Sequence, residues 1–165
     1  MEDSRQPPIS YIERITATYA ALGYPTYKWH HAQEPPAIAE RTKNLSKSKV
    51  GLIATGGIYK SGQVAFHYRD DVSYRSIAAD TNPSELRATH FAYDLAGARE
   101  DINVVFPIEA IKKLHDDGYI GEVAENFFTC MGGIYSQRRV EKELAPALVE
   151  RCLEEEIDAV LLVPV

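Results

Sequence analysis

The apolar positions of this chain begin as a helical stripe, dissolve into a proline-broken stretch and return as short runs separated by stripes. Residues 1–9 are polar and proline-bearing and are expected to fray. Ser10 can then cap a helix, with Glu13 three places on completing a capping box. Tyr11, Ile15, Thr18, Tyr19 and Leu22 share one face of that helix, and Gly23 ends it. From Tyr24 to Lys49 prolines and polar residues interrupt any period. That stretch reads as an arm or cover, with at most a turn of helix at Ala37 to Arg41.

Val50 to Thr55, "VGLIAT", is a continuous apolar run that predicts a buried central strand, entering a tight loop at Gly56 and Gly57. Ser73 to Ile77 alternates as a strand would, and Pro83 to Arg87 suits a helical turn. Asn103 to Phe106 reads as a short strand, and Pro107 as the first residue of a helix turning Ile108, Ile111 and Leu114 inward until Gly118. Asn126 to Met131 is strand-like and closed by Gly132 and Gly133. Val140, Leu144, Leu148 and Cys152 then recur every four residues on a helix that Pro146 should kink or restart. Ala159 to Val163 is again a continuous apolar run, expected to be covered on both faces in the middle of a sheet. Strands alternating with amphipathic helices predict an α/β layered sandwich around a mostly parallel central sheet, as one domain over residues 10–165.

With 45% hydrophobic and 25% charged residues the chain is expected to fold, and its formal charge of -6 argues against a general nucleic-acid partner. Lys43, Lys47, Lys49, Arg138 and Arg139 form its basic clusters and read as solvated faces. No apolar stretch approaches the roughly 20 residues needed to cross a bilayer, and "MEDSRQPP" lacks the pattern of a secretion signal. A cytoplasmic location without a membrane partner is expected. Cys130 and Cys152 form no C-x-x-C pair, which fits a reducing compartment and gives no structural zinc site.

Candidate chemistry gathers around strand ends. The loop "TGGIYKSG" invites comparison with phosphate cradles, but Gly56, Gly57 and Gly62 fit neither the P-loop nor the dinucleotide spacing, so a tight turn beside a ligand-binding edge is the stronger reading. His67 with Asp70 and Asp71, and His90 with Asp94, carry acid, base or ligand capacity, although a polar loop or capping role is the stronger reading for each histidine. His30 and His31 are adjacent and would diverge, so no metal is expected there. Cys130 sits where a strand-end thiolate could act as nucleophile, though free cysteine is among the most buried residue types and packing is the stronger reading. Gly56, Gly57, His90, Asp94 and Cys130 are the pocket candidates; no catalytic residue stands out.

Five stretches taken together go further: "YIERITATYAALGYPTYKW", "KVGLIATGGIYKSGQ", "THFAYD", "DINVVFPIEAIKKLHDDGYIGEVAENFFTCMGG" and "DAVLLVPV". In content and order they resemble the selenoprotein B component of the glycine, sarcosine, betaine and D-proline reductases. The resemblance implies reductive cleavage of a carbon–nitrogen bond by a selenocysteine, or a cysteine in its place, located just past Val165. It implies no cofactor within this chain, a pyruvoyl group on a partner subunit, other reductase subunits and an amine or amino-acid substrate as partners, and a thioredoxin-like thiol donor. It also carries the expectation that this sequence is the N-terminal part of a longer protein, cut at a UGA codon, with a sheet incomplete at its C-terminus. A non-catalytic α/β binding subunit, and a small phosphate- or nucleotide-binding domain, are the alternatives.

Overall fold

A computed structural model describes residues 8–26 and 30–165. Most of the segment expected to fray lies outside these residues, as does Trp29. The chain divides into two compact units, Met1–Ala39 and Glu40–Val165.

The first unit carries helix α1, Tyr11–Ala21, ending at Leu22 and Gly23, whose φ of 81° suits a glycine. The capping box does not form. Ser10 has φ -73° and ψ 72°, away from the extended geometry of a capping residue, and its side chain makes no cap bond. Ala37 to Arg41 is irregular rather than helical.

The second unit is built from β1 (Lys49–Ala54), β2 (Ile58–Lys60), β3 (Arg75–Ala78), β4 (Leu86–Ala88), α2 (Leu95–Glu100), α3 (Ile108–Asp116), β5 (Glu122–Val123), β6 (Asn126–Thr129), α4 (Gln137–Arg139), α5 (Ala145–Glu154) and β7 (Ala159–Val163). Strand β1 is its axis. Val50 pairs in parallel with Val123 of β5 and Ala159 of β7, and Ala54 with Thr129 of β6 and Val163 of β7. Two neighbours per residue place β5 and β6 along one edge of β1 and β7 along the other. Beyond β6 lies antiparallel β3, with Ile77 opposite Phe127. Strands β2 and β4 form a separate antiparallel ribbon.

Period-two alternation sorts the side chains to two faces. Val50, Leu52 and Ala54 of β1 and Phe127 of β6 join Phe106, Ile108 and Ile111 in the larger core. Ile53 and Phe128 face the other way, against Leu144, Leu148 and Cys130. The aromatics lock each layer edge to face: Phe106 with Phe127 at 6.1 Å, Tyr74 with Phe128 at 6.0 Å. The result is the expected α/β layering about a mostly parallel sheet.

Four local expectations need correction. Residues 103–106 are not a strand: Ile102–Val104 is a 3-10 turn, because the Asp101 carboxylate accepts from Asn103 N–H at 2.9 Å and starts a helical turn instead. Helix α3 buries Ile108 and Ile111, but Leu114 is half exposed. Cys152 is only partly buried, at the margin of the smaller core. Strand β7 is not central; β1 is its neighbour on one side, no strand among the described residues pairs with its other edge, and Leu161 and Leu162 are exposed. Pro146 acts as its chemistry requires. Its ring lacks an N–H and would strike the Lys142 carbonyl in an unbroken α-helix, and the chain widens into a π turn over Val140–Leu144, where Ala145 N–H donates to Val140.

The basic clusters are largely engaged. Lys43 Nζ lies 2.8 Å from Asp158, Lys49 Nζ donates to the Glu155 carbonyl, and Arg139 reaches both Glu143 and the Asp70 carbonyl. No described helix is long and apolar enough to cross a membrane.

Candidate functional site

Because β1, β6 and β7 run parallel, their carboxyl ends open at one rim of the sheet, the place where open α/β sheets gather ligands. Hydrogen bonds tie the three ends together. Thr55 N–H donates to Val163 O at 3.0 Å, Cys130 N–H to Ala54 O at 2.9 Å, and Gly57 N–H to Cys130 O at 3.0 Å. Val165 N–H donates to Thr55 Oγ1 at 2.9 Å. Each of two adjacent strand ends carries a glycine pair, and Gly56 bridges Met131 between them.

The glycines are required by contact. Gly57 has φ 68°, and a Cβ there would fall 2.0 Å from the Thr89 carbonyl oxygen. At Gly132 a Cβ would fall 2.6 Å from Val165 O and 3.0 Å from Thr55 Oγ1. Any side chain at Gly132 would therefore displace the chain that follows β7.

The phosphate-cradle reading loses its donors. Gly57 N–H is committed to Cys130 O, and Ile58 N–H to the buried Thr129 Oγ1 at 3.0 Å. An anion would have to break these bonds.

Cys130 lies beside this rim but is sealed, at 3% exposure, and burial pushes its thiol up to about 11. Burial thus favours the protonated thiol over the nucleophilic thiolate. The side chain packs in the smaller core.

His90 and Asp94 follow the rim but do different jobs. Asp94 Oδ1 accepts from Ala96 N–H at 2.9 Å and caps α2, on the exposed side. His90 is buried, its Nδ1 accepts from Ala92 N–H at 3.1 Å, and burial lowers its pKa. The H-x-x-x-D spacing thus marks two local turns. His67 and Asp71 likewise form a local turn, Asp71 accepting from His67 N–H, whereas Asp70 bonds across the fold and accepts from the amides of Tyr135 and Ser136 at the entry to α4. His30 and His31 are exposed. Among the described residues no three His, Cys, Asp or Glu side chains converge as a metal site.

Sequence reasoning passed over Thr55 and Tyr93. Tyr93 Oη donates to Gly56 O at 2.9 Å and pins the glycine loop from above. A hydroxyl closing an apolar strand was the available signal for Thr55. Nothing local marks Tyr93, whose partner lies 37 residues away. A groove of about 680 Å³ lies to one side of the rim, between β4 and α2, but its lining sets Arg87 and Arg99 against Glu100, Asp101 and Glu109, so it favours neither sign of ligand.

Comparison with known proteins decides the family. Residues 27–165 match the model of glycine/sarcosine/betaine reductase selenoprotein B. The chain belongs to that family. It is 31% identical over 128 residues to the D-proline reductase subunit gamma of Acetoanaerobium sticklandii, covering 78% of this chain and 53% of the relative. It is 26% identical over 160 residues to the sarcosine reductase complex component B subunit beta of Peptoclostridium acidaminophilum, covering 92% of this chain and 35% of the relative. The glycine reductase complex component B subunit gamma of Symbiobacterium thermophilum is 27% identical, with 73% and 29% covered. The chain thus spans about half the length of the first relative and about a third of the others. No solved structure matches it.

Proposed function

We propose that this chain is the scaffold half of a reductase component that cleaves the carbon–nitrogen bond of a small amino acid or betaine, with the nucleophile carried just past Val165. The observation that supports this most directly is the rim itself. Thr55 Oγ1 holds the Val165 amide, and Gly132 leaves the space through which the chain after β7 passes. The open edge of β7, with Leu161 and Leu162 exposed, suits a sheet that continues. A residue after Val165 would stand at the carboxyl lip of β7, where a side chain meets substrate rather than core.

A selenolate or thiolate there would supply the nucleophile, since a chalcogen ionised at neutral pH attacks where the buried Cys130 thiol does not. The residues of this chain position it. Thr55 fixes the backbone at Val165, Tyr93 and Thr129 hold the Gly56–Ile58 turn, and the two glycine pairs keep the rim open. Activation of the amine by a carbonyl group on a partner subunit, return of electrons from a thioredoxin-like donor and a cytoplasmic location complete the reading. The first two follow from the family resemblance read in the sequence and the third from the absence of a secretion-signal pattern; the relatives' names support membership of a reductase complex.

Two measurements test it. The DNA after codon 165 is expected to carry an in-frame UGA or cysteine codon and further coding sequence; stops in every frame would refute the proposal. Second, the 165-residue chain with partner subunits and dithiothreitol is expected to form no 5-aminopentanoate from D-proline and to release no methylamine from sarcosine or ammonia from glycine. Turnover by this chain as it stands would show that the nucleophile lies within it.

A further inference from the structure

One buried side chain at the rim has hydrogen-bonding capacity that its surroundings leave unused. His90 is 8% exposed. Its Nδ1 accepts from Ala92 N–H at 3.1 Å, which fixes the neutral tautomer with the proton on Nε2. Among the described residues that Nε2–H has no hydrogen-bond partner. A buried donor left unpaired is costly, and such groups in native proteins commonly await a ligand or an ordered water.

The ring belongs to the rim. The preceding residue, Thr89, donates its N–H to Gly57 O at 3.0 Å. The imidazole lies 4.8 Å from Tyr93, whose hydroxyl holds Gly56, and stacks at 5.6 Å and 9° on Phe91. Phe91 in turn closes on Gly133, where a Cβ would come within 2.3 Å of its ring. His90 is thereby fixed between the two glycine pairs, with a phenyl ring that is itself 46% exposed stacked on its face.

We propose that His90 is a substrate-binding residue whose Nε2–H donates to a carboxylate oxygen of the substrate. The inference rests on the function proposed above. Glycine, sarcosine, betaine and D-proline, the compounds in the relatives' names, each join a carboxylate to a nitrogen. The cationic nitrogen end has no lone pair to offer an N–H donor, so the carboxylate is the end that matches. A neutral imidazole makes this charge-assisted bond without surrendering its proton.

The test uses the 165-residue chain labelled with 15N at histidine and titrated with D-proline, sarcosine and betaine, with pyrrolidine as the control lacking a carboxylate. The Nε2–H resonance is expected to shift in step with calorimetric binding for the three carboxylates and to stay put for pyrrolidine. Two variants separate a ligand role from a packing role. His90→Gln retains an N–H at the distal position and is expected to bind within about threefold of wild type, whereas His90→Asn retains only the acceptor toward Ala92 and is expected to bind about tenfold or more weakly. Wild-type binding with an unmoved Nε2 signal, or His90→Asn binding as tightly as wild type, overturns the role of His90 and leaves the proposed function standing. Absence of wild-type binding to all three carboxylates overturns the substrate-binding function and this inference with it.

Discussion

Replacing Gly57 by alanine loads two separate costs onto one methyl group. The residue sits at φ 68°, where a Cβ crowds the backbone, and that Cβ would lie 2.0 Å from the Thr89 carbonyl oxygen. The left-handed conformation costs an L-residue about 1–2 kcal/mol, partly offset by the roughly 0.4–1 kcal/mol that alanine gains by restricting the unfolded chain. Forcing apart a packed contact adds about 1–3 kcal/mol. Gly118, at φ 76° with nothing within 4 Å of its would-be Cβ, isolates the first cost. Urea unfolding followed by circular dichroism should therefore find Gly118→Ala less stable by about 1 kcal/mol or less, and Gly57→Ala worse by a further 1–3 kcal/mol. Because Thr89 donates to Gly57 O and precedes His90, the second variant should also broaden the His90 imidazole signal. Equal midpoints for the two variants would refute the claim that close approach, and not backbone conformation alone, demands glycine at position 57.

Cys130, with its thiol near 11, should resist iodoacetamide at pH 8 in the native protein and react fully in denaturant, as mass spectrometry would report; Cys152, raised less by burial and by Glu155, should label first. Stability should fall as pH is lowered, in two windows. Burial lowers the pKa of His90 below 6.5, so its contribution is complete above 6.5 and is lost as pH falls toward its folded value. The Lys43 side chain and the Lys49 amide hold Asp158 below 3.8, so that contribution is present above 3.8 and is lost as pH falls through the folded value. Urea midpoints for His90→Gln should lack the first window and keep the second. Pro146→Ala restores an N–H and removes the ring clash, so the π turn at Val140–Leu144 should relax to α-helix, rotating α4 about the helix axis; a crystal structure of the variant would show it.

The central strand was readable because its neighbours cover both faces, so VGLIAT is apolar throughout and needs no tertiary information to be recognised. AVLLV looks the same in one dimension, yet β7 lies at an edge with Leu161 and Leu162 exposed, since sequence records that a surface is apolar and not what covers it. NVVF misled in the other direction. A side chain two residues upstream, Asp101, decides its conformation by a single capping bond. At the rim the glycine pairs announced close contacts, but not their partners, because Gly57 meets Thr89 and Gly132 meets Val165 only after the sheet forms. His90 was visible as a titratable group. That one of its nitrogens is spent on Ala92 and the other left over is a fact of three dimensions.

The register of β1 against β7 also sets a timetable for synthesis. The two partners at the rim, Thr55 and Val165, are 110 residues apart. At roughly 5–20 residues per second a ribosome needs about 5–20 s to travel between them. For that interval the nascent VGLIAT segment has emerged with one flank bare. A chaperone that shields extended apolar peptide would find its natural target there, and slowing elongation within codons 60–150 should lengthen the hold.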